Sequence, residues 1–379
     1  MIGIYLHIPF CRQACTYCDF FFTTRGGLKP AFLKSLTREI SSYRDSEWSS
    51  VPVLSVYFGG GTPSRLTGDE FTSLLDALGA VFNLNQAVEI TVEVNPDDLT
   101  PDYLRQLKQA GVNRLSVGIQ TFSPERLRFM NRAHTREHAL QCLRMIREEG
   151  FHSWTADLIY GNPGQTTDAL AEDIETLLDF DPPHISAYAL TIEPHTRLGS
   201  MVRKKLVEPA DDELVAEHTD LLVNMLAGAG VERYEVSNFA RPGHEAVHNS
   251  AYWSHQNYLG LGPGAHSFSW KPDEVHAKRW SNKPHLPEYM EKSPNPHEKE
   301  DLTIDQLATE RLMMGLRTSE GLTVVELEQR YRYSFSSAQQ VKILKFREEK
   351  LLNYDGASIR LTGMGMLVAD RITLEIISS

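Results

Sequence analysis

The chain has 379 residues, 41% hydrophobic and 23% charged, with a formal net charge of −12 at pH 7. That length allows two or three domains or one barrel with an appendage, while the acidity argues against a general nucleic-acid or anionic-membrane surface, which needs clustered cations. No run of eighteen apolar residues marks a membrane span, no secretory signal opens the chain, and four cysteines, three of them crowded, fit a reducing compartment, so a cytoplasmic location is expected.

The first predicted strand, Gly3-His7, runs through Pro9-Phe10 into Cys11-Arg12-Gln13-Ala14-Cys15-Thr16-Tyr17-Cys18, a C-x3-C-x2-C loop. Thiolates this close repel one another unless a cation neutralises them, and soft sulfur ligands select zinc, copper(I) or iron–sulfur clusters. A structural zinc site closes with four ligands, and the next candidate, His7, would have to reach back from the strand. A [4Fe-4S] cubane on three cysteines leaves one iron without a protein ligand and open for chemistry.

Further strands are predicted at Val53-Phe58, Ala87-Val94, Arg114-Ile119, Ser153-Ile159 and Ile185-Leu190. Between them, 3.6-residue periodicity predicts helices at Pro30-Tyr43, Thr67-Phe82, Pro101-Ala110, Ser123-Met130, Thr135-Glu149 and Thr167-Leu178. Six strand-helix units imply parallel strands joined by right-handed crossovers. An open doubly wound sheet also fits; a full barrel would need eight units.

The strand ends carry the polar residues. After the cysteine loop come Gly59-Gly60-Gly61-Thr62-Pro63, then Glu93 with Asn95-Pro96, Gln120, Asp157 before Tyr160-Gly161-Asn162-Pro163-Gly164, and Tyr188 before Glu193-Pro194. In parallel barrels such ends converge on the active site. The glycine run is either a tight turn or a close approach of backbone to ligand with amide donors left free. Glu93, opposite in phase to Val92 and Val94, faces either water or the inside of a barrel, where it could take ribose hydroxyls. Gln120 and Asp157 alone read equally as satisfied strand-end groups, and Arg132 as a surface arginine. Cys142 shares a helical face with Ala139 and Ile146 and reads as a buried thiol.

Beyond about residue 209 the alternation loosens. An acidic-headed helix is expected over Asp212-Ala227. It is followed by Tyr234-Glu235-Val236-Ser237-Asn238, by His248-Asn249-Ser250-Ala251-Tyr252-Trp253, and by a glycine- and aromatic-rich stretch from Tyr258 to Phe268. Proline and charge across Lys283 to Glu300 predict a linker or exposed crossover. Helices at Ile304-Leu316, Thr323-Arg330 and Ser337-Glu348, with strands Leu351-Tyr354 and Ser358-Leu361 around Asp355-Gly356, predict a small separate winged-helix-like unit. With 11 Lys+Arg against 12 Asp+Glu from Lys299 to Ser379, that unit lacks the basicity of a DNA reader, and no nucleic-acid partner is expected.

The cysteine loop resembles the signature of the radical S-adenosylmethionine (SAM) superfamily. The resemblance implies a partial (β/α)6 TIM-like barrel in an α/β fold, with a [4Fe-4S] cluster on Cys11, Cys15 and Cys18. It also implies SAM on the fourth iron, cleaved to methionine and a 5′-deoxyadenosyl radical. Tyr5-Leu6-His7-Ile8-Pro9-Phe10-Cys11, the GGGTP run, Glu93-Val94-Asn95-Pro96, Gly118-Ile119-Gln120-Thr121-Phe122, Asp157-Leu158-Ile159-Tyr160-Gly161, the His248 hexapeptide and the C-terminal unit occur in this order. Together they resemble the oxygen-independent coproporphyrinogen III oxidases and their relatives over nearly the whole chain. In that family the residues matching Tyr5, Gly60, Gly61, Thr62, Glu93, Gln120, Arg132 and Asp157 contact SAM, and Tyr17 joins the expected cofactor-binding set.

Two departures choose the branch. The oxidases proper carry a fourth cysteine two residues after the third and a long N-terminal extension; here that position is Phe20, and ten residues precede Cys11. Both features, with His248-Asn249-x-x-Tyr252-Trp253, resemble the HemW type of heme chaperone, which binds heme without decarboxylating. His248 is then the expected axial ligand, with Tyr252 and Trp253 as flat apolar surface; without the resemblance they read as hydrogen-bonded loop residues and core. The implied partners are heme, a heme-acceptor protein, an electron donor for the cluster, and peripheral contact with membrane proteins. No residue is assigned a catalytic role. The alternative is an oxidase converting two propionates of coproporphyrinogen III to vinyl groups. The expected division is residues 1–208 for the barrel, 209–298 for an extension carrying the hexapeptide, and 299–379 for the C-terminal unit.

Overall fold

The structure, a computed structural model, describes residues 1–84, 88–271, 273–294 and 296–378. Ala87, at the head of the third predicted strand, Asn295, within the predicted linker, and Ser379, at the end of the predicted C-terminal unit, lie outside the described residues.

Six parallel strands, β1 (Ile2–Ile8), β2 (Val53–Gly60), β3 (Glu89–Val94), β4 (Arg114–Gln120), β5 (Ser153–Tyr160) and β6 (His184–Ala189), pair in sequence order. The connecting helices are α1 (Lys29–Ser42), α2 (Gly68–Gly79), α3 (Pro101–Ala110), α4 (Pro124–Phe129), α5 (Arg136–Glu148) and α6 (Thr167–Leu178). The predicted partial barrel is therefore present, and its boundaries fall where local chemistry sets them. Thr67 and Glu70 form a capping box at α2, while Thr100 caps α3 ahead of Pro101. Gly111, at φ +101°, ends α3 in the left-handed conformation that glycine adopts without Cβ strain.

The period-2 alternation decides where the site can be. Ile4 and Leu6 of β1, Val56 and Phe58 of β2, Val92 of β3, Leu115 and Val117 of β4 and Ile185 of β6 are fully buried in one core, the layer between sheet and helices. Each such aliphatic side chain contributes roughly 1.5 to 3 kcal/mol by leaving water. The alternate residues, among them Tyr5, Tyr57, Glu93, Ser116, Asp157 and Ser186, line a cavity. The barrel interior is thus polar and hollow, where a complete barrel is usually packed with aliphatic layers.

The sheet continues at both edges. After α7 (Arg197–Arg203) and α8 (Asp212–Gly228), short strands β7 (Glu232–Arg233) and β8 (Asn238–Ala240) pair antiparallel beyond β6. Following α9 (Val247–Trp253), β9 (Tyr258–Leu261) pairs parallel with β1, and β10 (His266–Ser269), β11 (His276–Asn282) and β12 (Pro296–Thr303) extend that edge antiparallel. One twelve-stranded sheet results, so the expected extension shares its sheet with the barrel.

The predicted linker is a correction. It holds α10 (Leu286–Lys292) and most of β12, and α10 is anchored: Tyr289 donates to Glu39 Oε2 of α1 at 2.6 Å. β12 is exposed along nearly its whole length, so its charged sequence has no buried face from which a strand could be read.

The C-terminal unit contains α11 (Ile304–Gly315), β13 (Leu322–Thr323), α12 (Val324–Tyr331), α13 (Ser337–Glu348), β14 (Leu352–Tyr354), β15 (Ser358–Leu361), α14 (Gly363–Leu367) and α15 (Ala369–Ile377), with β13-β15-β14 as a small sheet. Its core is not its own: Phe268 and Trp270 in the β10 region, Ala277 of β11 and Leu302 of β12 pack with Leu307, Leu312 and Ile343. No helix among the described residues is long and apolar enough to cross a membrane.

Candidate functional site

The cavity, about 720 Å³, opens at the C-terminal ends of the strands and is lined by residues from all six. The cysteine loop forms one lip. It is held from several sides: Cys11 N donates to Thr23 O at 2.9 Å and Thr23 N to Pro9 O at 2.6 Å. His7 Nε2 lies 2.8 Å from Phe21 O. Thr16 N donates to Met130 O, Gln13 Nε2 to Asn131 O, and Asn131 Nδ2 to Ala14 O. His7, burial having lowered its pKa to about 4, is neutral and occupied by the loop. It anchors the loop instead of serving as a fourth metal ligand.

Cys11, Cys15 and Cys18 are free, half-buried thiols lining the cavity. Cys11 accepts from Thr62 Oγ1 at 3.5 Å and Cys15 from Arg132 Nη1 at 3.5 Å. Burial raises the pKa of Cys11 and pushes Cys18 up to about 11, and the other two thiols raise Cys18 further by charge. Without a cation Cys11 and Cys18 stay protonated. Among the described residues no three His, Cys, Asp or Glu side chains converge on one metal ion. This donor set suits a polynuclear cluster, in which each cysteine takes a different iron, better than a single zinc. The buried Arg132 fits an anionic cluster beside it, because its Nε–H has no acceptor. When bound, such a cluster supplies one-electron chemistry at its open iron.

Below the thiols, Glu93 Oε1 accepts from Tyr57 OH at 2.9 Å and Oε2 from Gly60 N at 3.1 Å. Burial, with added repulsion from Asp157, raises its pKa to about 7 against those two donors. Asp157 Oδ2 accepts from Ser116 Oγ at 3.0 Å, and burial raises its pKa to about 6. Gln120 sits at the end of β4 with φ +67°, a strained conformation outside glycine that aims it into the cavity. Tyr5 stacks on Tyr57 at 6.1 Å, and Tyr17 lies against Arg132, its hydroxyl held protonated by burial.

The glycines act differently from the sequence expectation. Their amides are not free: Gly60 N serves Glu93, and Gly61 N donates to Ile8 O at 2.9 Å. What the residues need is space. A Cβ on Gly60, at φ +106°, would lie 2.5 Å from the His7 ring, and one on Gly61 2.7 Å from the backbone of Pro9.

His248 lies elsewhere than its place in the extension suggests. It was expected outside the strand unit, open to a porphyrin; it is 3% exposed on the cavity floor, beneath Tyr57. Its Nδ1 lies 2.8 Å from Ser55 Oγ and its Nε2 2.9 Å from Tyr252 OH, so both ring nitrogens are engaged. Burial lowers its pKa to about 3. Tyr252 is committed to His248 and packs edge-on against Tyr258, and the Trp253 carbonyl accepts from Arg311 of α11. Cys142 is buried on α5 as expected.

Sequence reasoning missed Tyr57 and Ser116 as site residues, and it named Asn95 at its strand end without giving it a role. Asn95 Oδ1 accepts from Arg132 Nη2 at 2.6 Å while its Nδ2 donates to Thr62 Oγ1 at 3.3 Å. The signal was available: each of the two strand residues lies in phase with the inward-facing set of its own strand.

Comparison with known proteins gives a consistent picture. Residues 5–177 match the radical SAM superfamily and residues 302–368 the HemN C-terminal domain. The chain is 32% identical to a heme chaperone HemW of Lactococcus lactis, covering 97% of this chain and 95% of that protein. It is 34% identical to one of Mycobacterium tuberculosis, covering 98% and 93%. Its fold is similar to the solved coproporphyrinogen III oxidase (HemN) of Escherichia coli, a radical SAM enzyme, with a TM-score of 0.85 at 24% identity over all of this chain and 90% of that one.

Proposed function

This chain belongs to the HemW family of heme chaperones within the radical SAM superfamily, and from that premise we propose that it binds heme and delivers it to an acceptor protein. It does so from a scaffold carrying a [4Fe-4S] cluster on Cys11, Cys15 and Cys18. SAM is held in the cavity, with Glu93, Asp157 and Gln120 as its polar contacts and Gly60, Gly61 and Thr62 shaping the wall. Tyr5, Tyr17 and Arg132 support that site from the stacked aromatics and the cluster side.

The observation that carries the reading is the mouth of the cavity. Phe20 occupies the position where the oxidases carry a fourth cysteine, and it is 68% exposed and lines the cavity, as Phe22 and Tyr188 also do. Exposed apolar surface lining a cavity is where a ligand or partner can bind. A porphyrin face finds flat apolar surface there. It reaches this rim without passing Tyr57, which stacks on His248 at 5.1 Å. The electron donor, the acceptor, any contact with membrane proteins and a cytoplasmic setting belong to the same proposal.

The test is anaerobic reconstitution with iron and sulfide, titration with hemin, and separate incubation with coproporphyrinogen III, SAM and a reductant. Saturable hemin binding without protoporphyrinogen formation is expected. Conversion of coproporphyrinogen III without saturable hemin binding would return the protein to the oxidase reading.

A further inference from the structure

Along β1 and β2 the inward residues stand in register as layers: Gly3 with Ser55, Tyr5 with Tyr57, and His7 with Gly59. His248, from α9, fills the lowest layer. A Cβ on Gly3 would lie 3.2 Å from its ring, so the glycine makes room for it. The ring is fixed at both nitrogens by Ser55 and Tyr252, and the start of α9 is fixed by Glu89, whose oxygens accept from Val247 N and His248 N at 3.0 Å. On this held ring lies Tyr57, stacked at 5.1 Å and 25°. Tyr57 in turn donates to Glu93.

We infer that His248 is a positioning residue for the SAM site: by stacking under Tyr57 it aims the tyrosine hydroxyl at Glu93, and it is not an iron ligand. A histidine serving iron needs a free nitrogen lone pair facing the metal, and here both nitrogens are engaged by hydroxyls inside the floor. A flat ring under Tyr57 is instead what fixes a phenol against rotation out of the Glu93 hydrogen bond. The inference rests on the assignment of SAM to Glu93, and the controls separate the two.

The experiment measures SAM affinity and hemin titration on the reconstituted full chain. His248→Ala is expected to weaken SAM binding about fivefold or more, with the hemin affinity and heme absorbance spectrum those of the parent. His248→Phe keeps a stacking ring but has no nitrogen, and it is expected to recover SAM affinity to within about threefold of the parent. Tyr57→Phe should weaken SAM binding, and His248→Ala added to it should cost little more, the non-additivity of two residues acting through one contact. If His248→Phe is as poor for SAM as His248→Ala, or if either variant changes the heme spectrum or hemin affinity, the inference is overturned. If Glu93→Ala leaves SAM affinity unchanged, the SAM assignment itself fails. Should His248→Ala not fold, the His248→Phe and Tyr57→Phe results still decide.

Discussion

The guanidinium of Arg132 lies 3.5 Å from the sulfur of Cys15, buried and tied by its other nitrogen to Asn95 Oδ1 and Gly118 O. A fixed buried positive charge at that distance offsets the negative charge of a thiolate-bound cluster. Arg132→Met is therefore expected to lower cluster occupancy after reconstitution several-fold, with Arg132→Lys intermediate because a lysine cannot reproduce the fork to Asn95 and Gly118. Iron and sulfide content per chain is the measurement, and equal occupancy in all three proteins would remove Arg132 from the cluster site.

Cluster ligation should discriminate sharply among the cysteines. Cys11→Ala, Cys15→Ala and Cys18→Ala each remove a thiolate from the cavity lip and are expected to abolish the visible absorbance of the cluster. Cys142, fully buried against the helix layer, should be replaceable by Ala without loss of iron. A Cys142→Ala protein lacking its cluster would contradict the assignment.

Glu93 gives a pH signature. Its folded pKa, about 7, is raised by burial above the ordinary value of 4.5. Between those values the folded state holds a proton that the unfolded chain has released, so stability falls as pH rises through this window. Glu93→Gln is accordingly expected to raise the melting temperature relative to the parent at pH 8 and to lose that advantage near pH 4.5. SAM binding runs the other way: a carboxylate accepting from ribose hydroxyls or an ammonium is complete only above pH 7. A parent whose SAM affinity does not change between pH 6 and 8 would rule out the Glu93 contact.

Much of this was legible in the chain. The six strands and their helices could be read because both faces announce themselves: Ile4 and Leu6 alternate with Tyr5 and His7, and Val92 and Val94 bracket Glu93. The cysteine lip follows from spacing alone. The position of His248 could not be read, because it depends on α9 folding back under β1 and β2, a contact some 190 residues distant that leaves no periodic trace. Likewise β12 carries charge on both faces, and its strand character comes only from pairing with β11.

The network around Glu39 holds the extension to the barrel. Its carboxylate accepts from Tyr289 OH at 2.6 Å, Asn282 Nδ2 at 2.6 Å and Gly262 N at 2.8 Å, all buried. Glu39→Ala removes the acceptor of Tyr289 OH and Gly262 N and leaves Asn282 Nδ2 only its bond to Gly262 O at 2.9 Å, and a loss of about 2 to 5 kcal/mol in unfolding free energy is expected. Chemical denaturation checks it; a change within error of zero would mean that water replaces the carboxylate.

The most direct measurement of the central claim is a transfer experiment with the reconstituted protein. It is loaded with one equivalent of hemin and mixed with apomyoglobin as a heme sink, beside a Phe20→Ala variant and a parallel incubation with coproporphyrinogen III, SAM and reductant. The parent is expected to bind hemin saturably, pass it to the sink and form no protoporphyrinogen, while Phe20→Ala binds hemin several-fold more weakly with its cluster intact. Protoporphyrinogen formation by a parent that neither retains nor transfers hemin would contradict the chaperone reading.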